Sequence, residues 1–163
     1  MNINENVSNL HAYFEDLAKK HKSILHTDQK KHFFKGGIED FFAGLRNKVK
    51  FPAILFDGFE LNYNGDGDDI DKDREFSFIV VQQYETVGNV DKIAIATSDC
   101  ERIGEDFIKK ILDDIENSSC KFSFRCATGI LMENTNEKAI GMQFTCNLTS
   151  NFNTKVNASV WEQ

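Results

Sequence analysis

Between Glu5 and Leu25 apolar side chains recur at spacings of three and four: Val7, Leu10, Phe14 and Leu17, with His21 and Ile24 continuing the row. That period puts a single apolar stripe on a helix. Lys19, Lys20 and Lys22 fall near its C-terminal end, where the helix dipole favours cations. Thr27 predicts the N-cap of a second helix, in which Phe33, Phe34, Ile38, Phe41, Phe42 and Leu45 form an aromatic face that Gly36 and Gly37 weaken. Pro52 ends the helical region and the period changes to two, with Phe59, Leu61 and Tyr63 alternating with Gly58, Glu60 and Asn62. Turn-forming residues from Asn64 to Asp73 separate this strand from a second alternating run, Phe76, Phe78 and Val80 through Tyr84. The two predict a hairpin with a long acidic tip.

Helical period returns after Gly88 with Ile93, Ala96, Cys100, Ile103, Phe107, Ile111 and Ile115. Ser98 and Glu101 fit a capping box, which predicts the main helix over Asp99 to Glu116. Asp113, Asp114 and Glu116 then lie at the end the dipole disfavours, so they invite a partner-based explanation. In the last third Cys120, Phe122, Phe124 and Cys126 share a face, as do Ile140, Met142, Phe144, Cys146 and Leu148, across a turn at 133–137. This is a second hairpin. Hairpins imply antiparallel neighbours, so the expected fold class is α+β: a four-stranded, mainly antiparallel sheet backed by helices, in the order helix, helix, strand, strand, helix, strand, strand.

A chain of 163 residues matches one domain. We divide it into a helical region 1–50, a hairpin-helix-hairpin core 51–150, and a segment 151–163 that reads as an edge strand or an arm. Fifteen Phe against one Trp mean that aromatic rings supply much of the core. The net charge of -7 opposes attraction to nucleic-acid phosphates, so tight DNA or RNA binding is not expected. No run reaches the ~20 apolar residues of a membrane span, and the polar opening lacks a signal-peptide pattern, so the chain is expected to remain where it is made.

Candidate chemistry is sparse. Asn62, Asn64, Asp66 and Asp68 place oxygens at alternate positions as a calcium loop does, but position twelve falls on Asp73 between two strands, so no metal site is assigned. His11, His21, His26 and His32 contain no pair at i, i+4, and the four cysteines contain no Cys-x-x-Cys. Neither a nucleophile elbow nor a phosphate-binding glycine loop is present, so no catalytic or cofactor-binding residue is assigned and the chain is not expected to be an enzyme. The pairs Phe33-Phe34 and Phe41-Phe42 spread apolar surface round the expected second helix, which makes them candidates for a subunit interface.

The order of elements, with an N-terminal helix, the Phe51-Pro52-Ala53-Ile54 entry to the first hairpin, the helix Asp99 to Glu116 and a second hairpin, resembles phage tail terminator proteins. The likeness is architectural, covers Phe33 to Leu148, and extends to other neck and tail-completion proteins. It implies a homo-oligomeric ring, commonly a hexamer, at the head-proximal end of the tail tube, in contact with tube and neck or connector proteins. DNA would pass through without sequence-specific binding, and the location would be the virion, after synthesis in the host cytoplasm. An acidic lumen suits such a passage, and Asp66, Asp68, Asp69, Asp71, Asp73, Asp113, Asp114 and Glu116 are candidates for lining it or facing a partner. The alternative is a small cytoplasmic adaptor or regulatory protein that binds a partner through a sheet edge.

Overall fold

Asn6 starts the first helix by accepting the Asn9 N–H on its side chain at 2.8 Å, and α1 runs Val7–Lys20. The computed structural model describes residues 6–37, 41, 49–84, 90–134, 137–155 and 159. Leu10, Phe14 and Leu17 are buried on one side of α1, as the stripe predicts, and His21 closes the helix with its N–H on the Leu17 carbonyl.

The expected second helix is corrected over Phe33 and Phe34, because Lys31–Lys35 is a strand, β1. A side-chain contact six and seven residues back competes with the helix. The buried ring of His26 accepts the backbone N–H groups of His32 (3.0 Å) and Phe33 (3.2 Å) on Nδ1, which removes those donors from any helical ladder. Phe33 and Phe34 then point to opposite faces and enter two different cores. Phe41 is helical and buried, while Ile38, Phe42 and Leu45 lie outside the described residues.

β2 (Val49–Asp66) and β3 (Asp69–Gln83) are longer than expected. Pro52 lies within β2, near the place where the pairing of β1 with β2 slips register between Lys31 and Phe33, so its missing N–H breaks no regular ladder. The second long helix, α2, spans Val90–Ile115, beginning nine residues before the expected Asp99, which is instead an exposed mid-helix partner of Arg102. β4 (Lys121–Asn134) and β5 (Glu137–Asn151) complete the sheet.

The fold is α+β, but the sheet has five strands in the order β1-β2-β3-β5-β4, and β1 joins β2 in parallel. The expected four strands missed β1; the two antiparallel hairpins are present. Both described helices pack on one face of the sheet. There Phe14, Phe56, Phe76, Phe78, Phe107 and Phe144 form a ring-on-ring core, with Phe78 stacked 5.0 Å from Phe144 and 5.9 Å from Phe107. Each buried ring contributes about 1.5–3 kcal/mol by burial alone. Ala53, Leu55, Ile79 and Val81 build a smaller buried cluster with Phe41 on the opposite face.

Candidate functional site

The β2–β3 hairpin outruns both helices and forms an arm. Its ladder continues without interruption from Phe59↔Phe76 to Asp66↔Asp69, so the expected long acidic tip is corrected to a two-residue turn, Gly67-Asp68. Gly67, at φ 58°, supplies the left-handed geometry that such a tight turn favours, and Asp66 Oδ1 accepts its N–H at 2.8 Å. β5 extends the arm by pairing Asp71↔Asn151 through Glu75↔Asn147.

Strand alternation gives the arm two unlike faces. On the helix side lie Phe59, Leu61 and Tyr63 of β2, and Ile70, Lys72 and Arg74 of β3. Phe59 and Tyr63 are 46% and 52% exposed, and Tyr63 meets Phe152 edge-on at 5.0 Å. Phe152 is held by its N–H on the Ile70 carbonyl at 2.7 Å, which places the start of the 151–163 segment against this face. Among them sits Arg74, 2% exposed, its guanidinium 5.5 Å from the Phe59 ring centroid, with Nε and Nη1 buried and lacking a hydrogen-bond partner. Burial holds its pKa below the ordinary value.

The open side carries carboxylates: Glu60 opposite Glu75, Asp73 opposite Asn62, Asp71 opposite Asn64, and Asp66 opposite Asp69. Thr149 donates to Asp73, and Asn64 donates to it at 2.6 Å; these bonds hold that carboxyl below its ordinary pKa against the opposing effect of burial. Arg125 reaches Glu75 at 3.0 Å. Asp68, in the turn, accepts from Thr154 at 3.3 Å. Asn62, Asn64 and Asp66 succeed one another at about 7 Å along an extended strand, a row that does not converge on one ion. Among the described residues no group of three His, Cys, Asp or Glu is placed to hold a metal.

The acids at the end of α2 have a local account. Lys110 pairs with Asp113 at 2.8 Å and with Asp114, and the Tyr13 hydroxyl donates to Asp114 at 2.9 Å, tying α1 to α2. Burial raises the Asp114 pKa, but the Lys110 and Tyr13 hydrogen bonds more than reverse it and leave it lowered. Glu116 follows the helix in an exposed turn. Of the interface candidates, Phe33 and Phe41 are buried, Phe34 is partly buried and packs edge-on against Phe41 at 5.3 Å, and Phe42 lies outside the described residues. Among the described residues the exposed aromatics are Phe59, Tyr63, Phe124 and Phe152.

A cleft of about 550 Å³ lies between the C-terminal end of α1 and α2, floored by Leu17 and Phe107. His21 at its edge contacts Asp106 through Nε2 at 3.3 Å and accepts the Ser23 N–H on Nδ1 at 3.3 Å. Both ring nitrogens of His21 are therefore engaged, one by the Ser23 N–H and the other by Asp106. Asp106 is 43% exposed, and the cations at the rim are answered locally, Lys20 by Asp16, Arg102 by Asp99 and Asp106, Lys110 by Asp113 and Asp114. Lys22 also lines the rim, so three of the four rim cations are paired with carboxylates of the same helices.

No family model matches the chain, and no curated protein matches it.

Proposed function

We propose that the chain is a structural subunit of a phage tail or neck, similar to a tail terminator, which closes into a ring and caps the tail tube. The observation that carries the reading is the arm, whose aromatic face offers adhesive surface and whose opposite face holds carboxylates in a row. Facing a lumen, the row Glu60, Asp66, Asp69, Asp71 and Asp73 would repel sliding phosphates. The acids of α2 are less suited to that role, since Lys110 and Tyr13 already engage them.

Immunogold labelling of virions from a lysate that carries the gene tests the location: gold at the head-tail junction is expected, and unlabelled particles refute it. Light scattering on the purified chain tests the ring, which requires a closed multiple of 18.6 kDa.

A second reading is favoured by one observation. β4 is an edge strand of 14 residues, exposed along most of 121–129, and such an edge accepts an added strand from a partner. A chain that stays monomeric, leaves virions unlabelled and binds extended peptides would be an adaptor.

A further inference from the structure

We propose that two copies of the chain join through β4, pairing antiparallel about a two-fold axis at Gly129, so that two five-stranded sheets become one continuous sheet. The contact is independent of the ring reading, because a two-fold contact satisfies itself in a pair and builds no ring.

The two edges of the sheet are guarded very differently. β1, at one end of the strand order, is five residues long and carries a lysine at each end, Lys31 and Lys35. Short length and lysines keep an edge from recruiting another strand. β4, at the other end, runs for 14 residues and among the described residues pairs only with β5. From Cys126 to Met132 it has neither a charge nor a proline, and Cys126 to Gly129 are exposed. Its one irregularity lies before this run, between Phe124 and Cys126, and from Cys126 to Asn134 the pairing with β5 keeps a single register. The outer N–H and C=O groups of that stretch therefore form a regular row, the template to which a strand adds.

Gly129 and the charges around it select the occupant. A methyl group at Gly129 would meet nothing within 4 Å, and its φ is not left-handed, so neither crowding nor turn geometry within the chain calls for glycine there. Glycine inside a strand weakens it and often marks the close approach of another backbone. The uncharged run is bracketed by Arg125 and Glu133, at equal distances along the chain on either side of Gly129. Antiparallel pairing about Gly129 puts Arg125 of each copy beside Glu133 of the other, whereas a parallel pair sets like beside like. Arg125 is 57% exposed while it reaches Glu75 at 3.0 Å, so further donors of its guanidinium are open to a second carboxylate. The backbone row supplies the adhesion, and the chain's own charges make a second copy its complement.

At the axis residue 129 faces itself, with Cα atoms about 4.5–5.5 Å apart, a span a disulfide can bridge. Residue 127 of one copy stands about 14 Å along the pair from residue 127 of the other, too far for one. Gly129→Cys and Ala127→Cys, each combined with Cys126→Ser, are oxidised with diamide and run on a non-reducing gel. A covalent pair of twice 18.6 kDa is expected from Gly129→Cys alone. Light scattering coupled to size exclusion follows the wild type and Gly129→Lys, with thermal melts to verify folding. The expected wild type is an even multiple of 18.6 kDa, and Gly129→Lys halves that mass, weakening association on the order of tenfold or more because two ammonium groups meet across the axis. A wild-type pair and no more keeps the two-fold contact and speaks against a ring in solution; a larger even multiple that Gly129→Lys halves keeps both. A folded Gly129→Lys protein of wild-type mass, an odd multiple, or equal cross-linking through Ala127→Cys overturns the pairing. A wild type that remains at the mass of one chain up to ~1 mM also overturns it, and an extended peptide bound there would then assign the edge to a foreign strand.

Discussion

Replacing Gly104 by Ala separates two effects of opposite sign. Gly104 lies mid-helix in α2, where Ala is favoured over Gly by about 1 kcal/mol, so propensity alone predicts a more stable protein. The structure predicts the reverse. A methyl group at Gly104 falls inside the ring of Phe144, far closer than non-bonded atoms approach. That ring has no freedom to yield, because it is buried and stacked at 10° on Phe78, which in turn stacks on Phe107 of the same helix. Overpacking of this kind costs about 1–3 kcal/mol, and with relaxation blocked the upper part of that range applies. The net loss is then about 1–2 kcal/mol, which for a chain of this length lowers Tm by roughly 2–8 °C. Thermal unfolding followed by circular dichroism measures it, and the double variant with Phe144→Leu should recover part of the loss through a coupling of ~0.5–3 kcal/mol. A Gly104→Ala protein with unchanged or higher Tm would refute the close approach of α2 to β5.

Phe107→Ala should destabilise the fold by about 3–5 kcal/mol in urea titrations, since the ring is buried against Phe78 and Phe14; near-wild-type stability would remove it from the core. His26 has a folded pKa below its ordinary 6.5, chiefly from burial, with Glu15 and Asp28 acting upward and Lys19 and His32 downward. Its contribution is therefore complete above pH 6.5 and lost as pH falls below it, because protonation of Nδ1 ejects two backbone N–H groups worth about 1–3 kcal/mol. His26→Asn, whose Oδ1 accepts in the same place without titrating, should flatten the fall of the urea midpoint as pH drops below 6.5, and an unchanged slope would contradict this role. Burial pushes the thiols of Cys100 and Cys146 up to about 12, so a thiol reagent at neutral pH should label Cys126 and spare both until denaturant is added. Early labelling of either would place it outside the core.

The parts of the fold that were legible in the sequence were those with local causes. Helical period located the α1 stripe and the buried side of α2, and alternation located both hairpins. β1 was not legible, because Phe33-Phe34 suits an aromatic helix as well as a strand that feeds two cores. The deciding agent is His26 Nδ1, together with a parallel neighbour some twenty residues along the chain. The capping-box letters at 98–101 misplaced the start of α2, since Asp99 serves equally well as a mid-helix partner for Arg102. Asp113 and Asp114 suggested a partner, yet Lys110 at i−3 and i−4 and Tyr13 a hundred residues away engage them. Alternation put Phe59 and Tyr63 on one face, but nothing local indicates that the helices stop short of them, and the unpaired Arg74 is visible only once the ladder is drawn.

The slip in the β2–β3 ladder between Phe56 and Phe59 has a further consequence. Phe56 faces Phe78 and Phe59 faces Phe76, so β2 carries one residue more than β3 across that step, and Gly58 at φ 92° makes room for it. Phe56 and Phe59 are three positions apart, an odd step that in an unbroken strand would put the two rings on opposite faces. The surplus residue absorbs that step, so Phe59, Leu61 and Tyr63 stay on the side of Phe56 and Phe76. Run the same residues straight, and the outer strand would reverse its phase, with Glu60 and Asn62 turned toward the helices. Delete Gly58 instead, and Phe59 would stand two positions from Phe56, still opposite Phe76. The bulge is thus a phase corrector: it lets a strand whose outer half is written in the opposite parity present its aromatic side to the same face as the core.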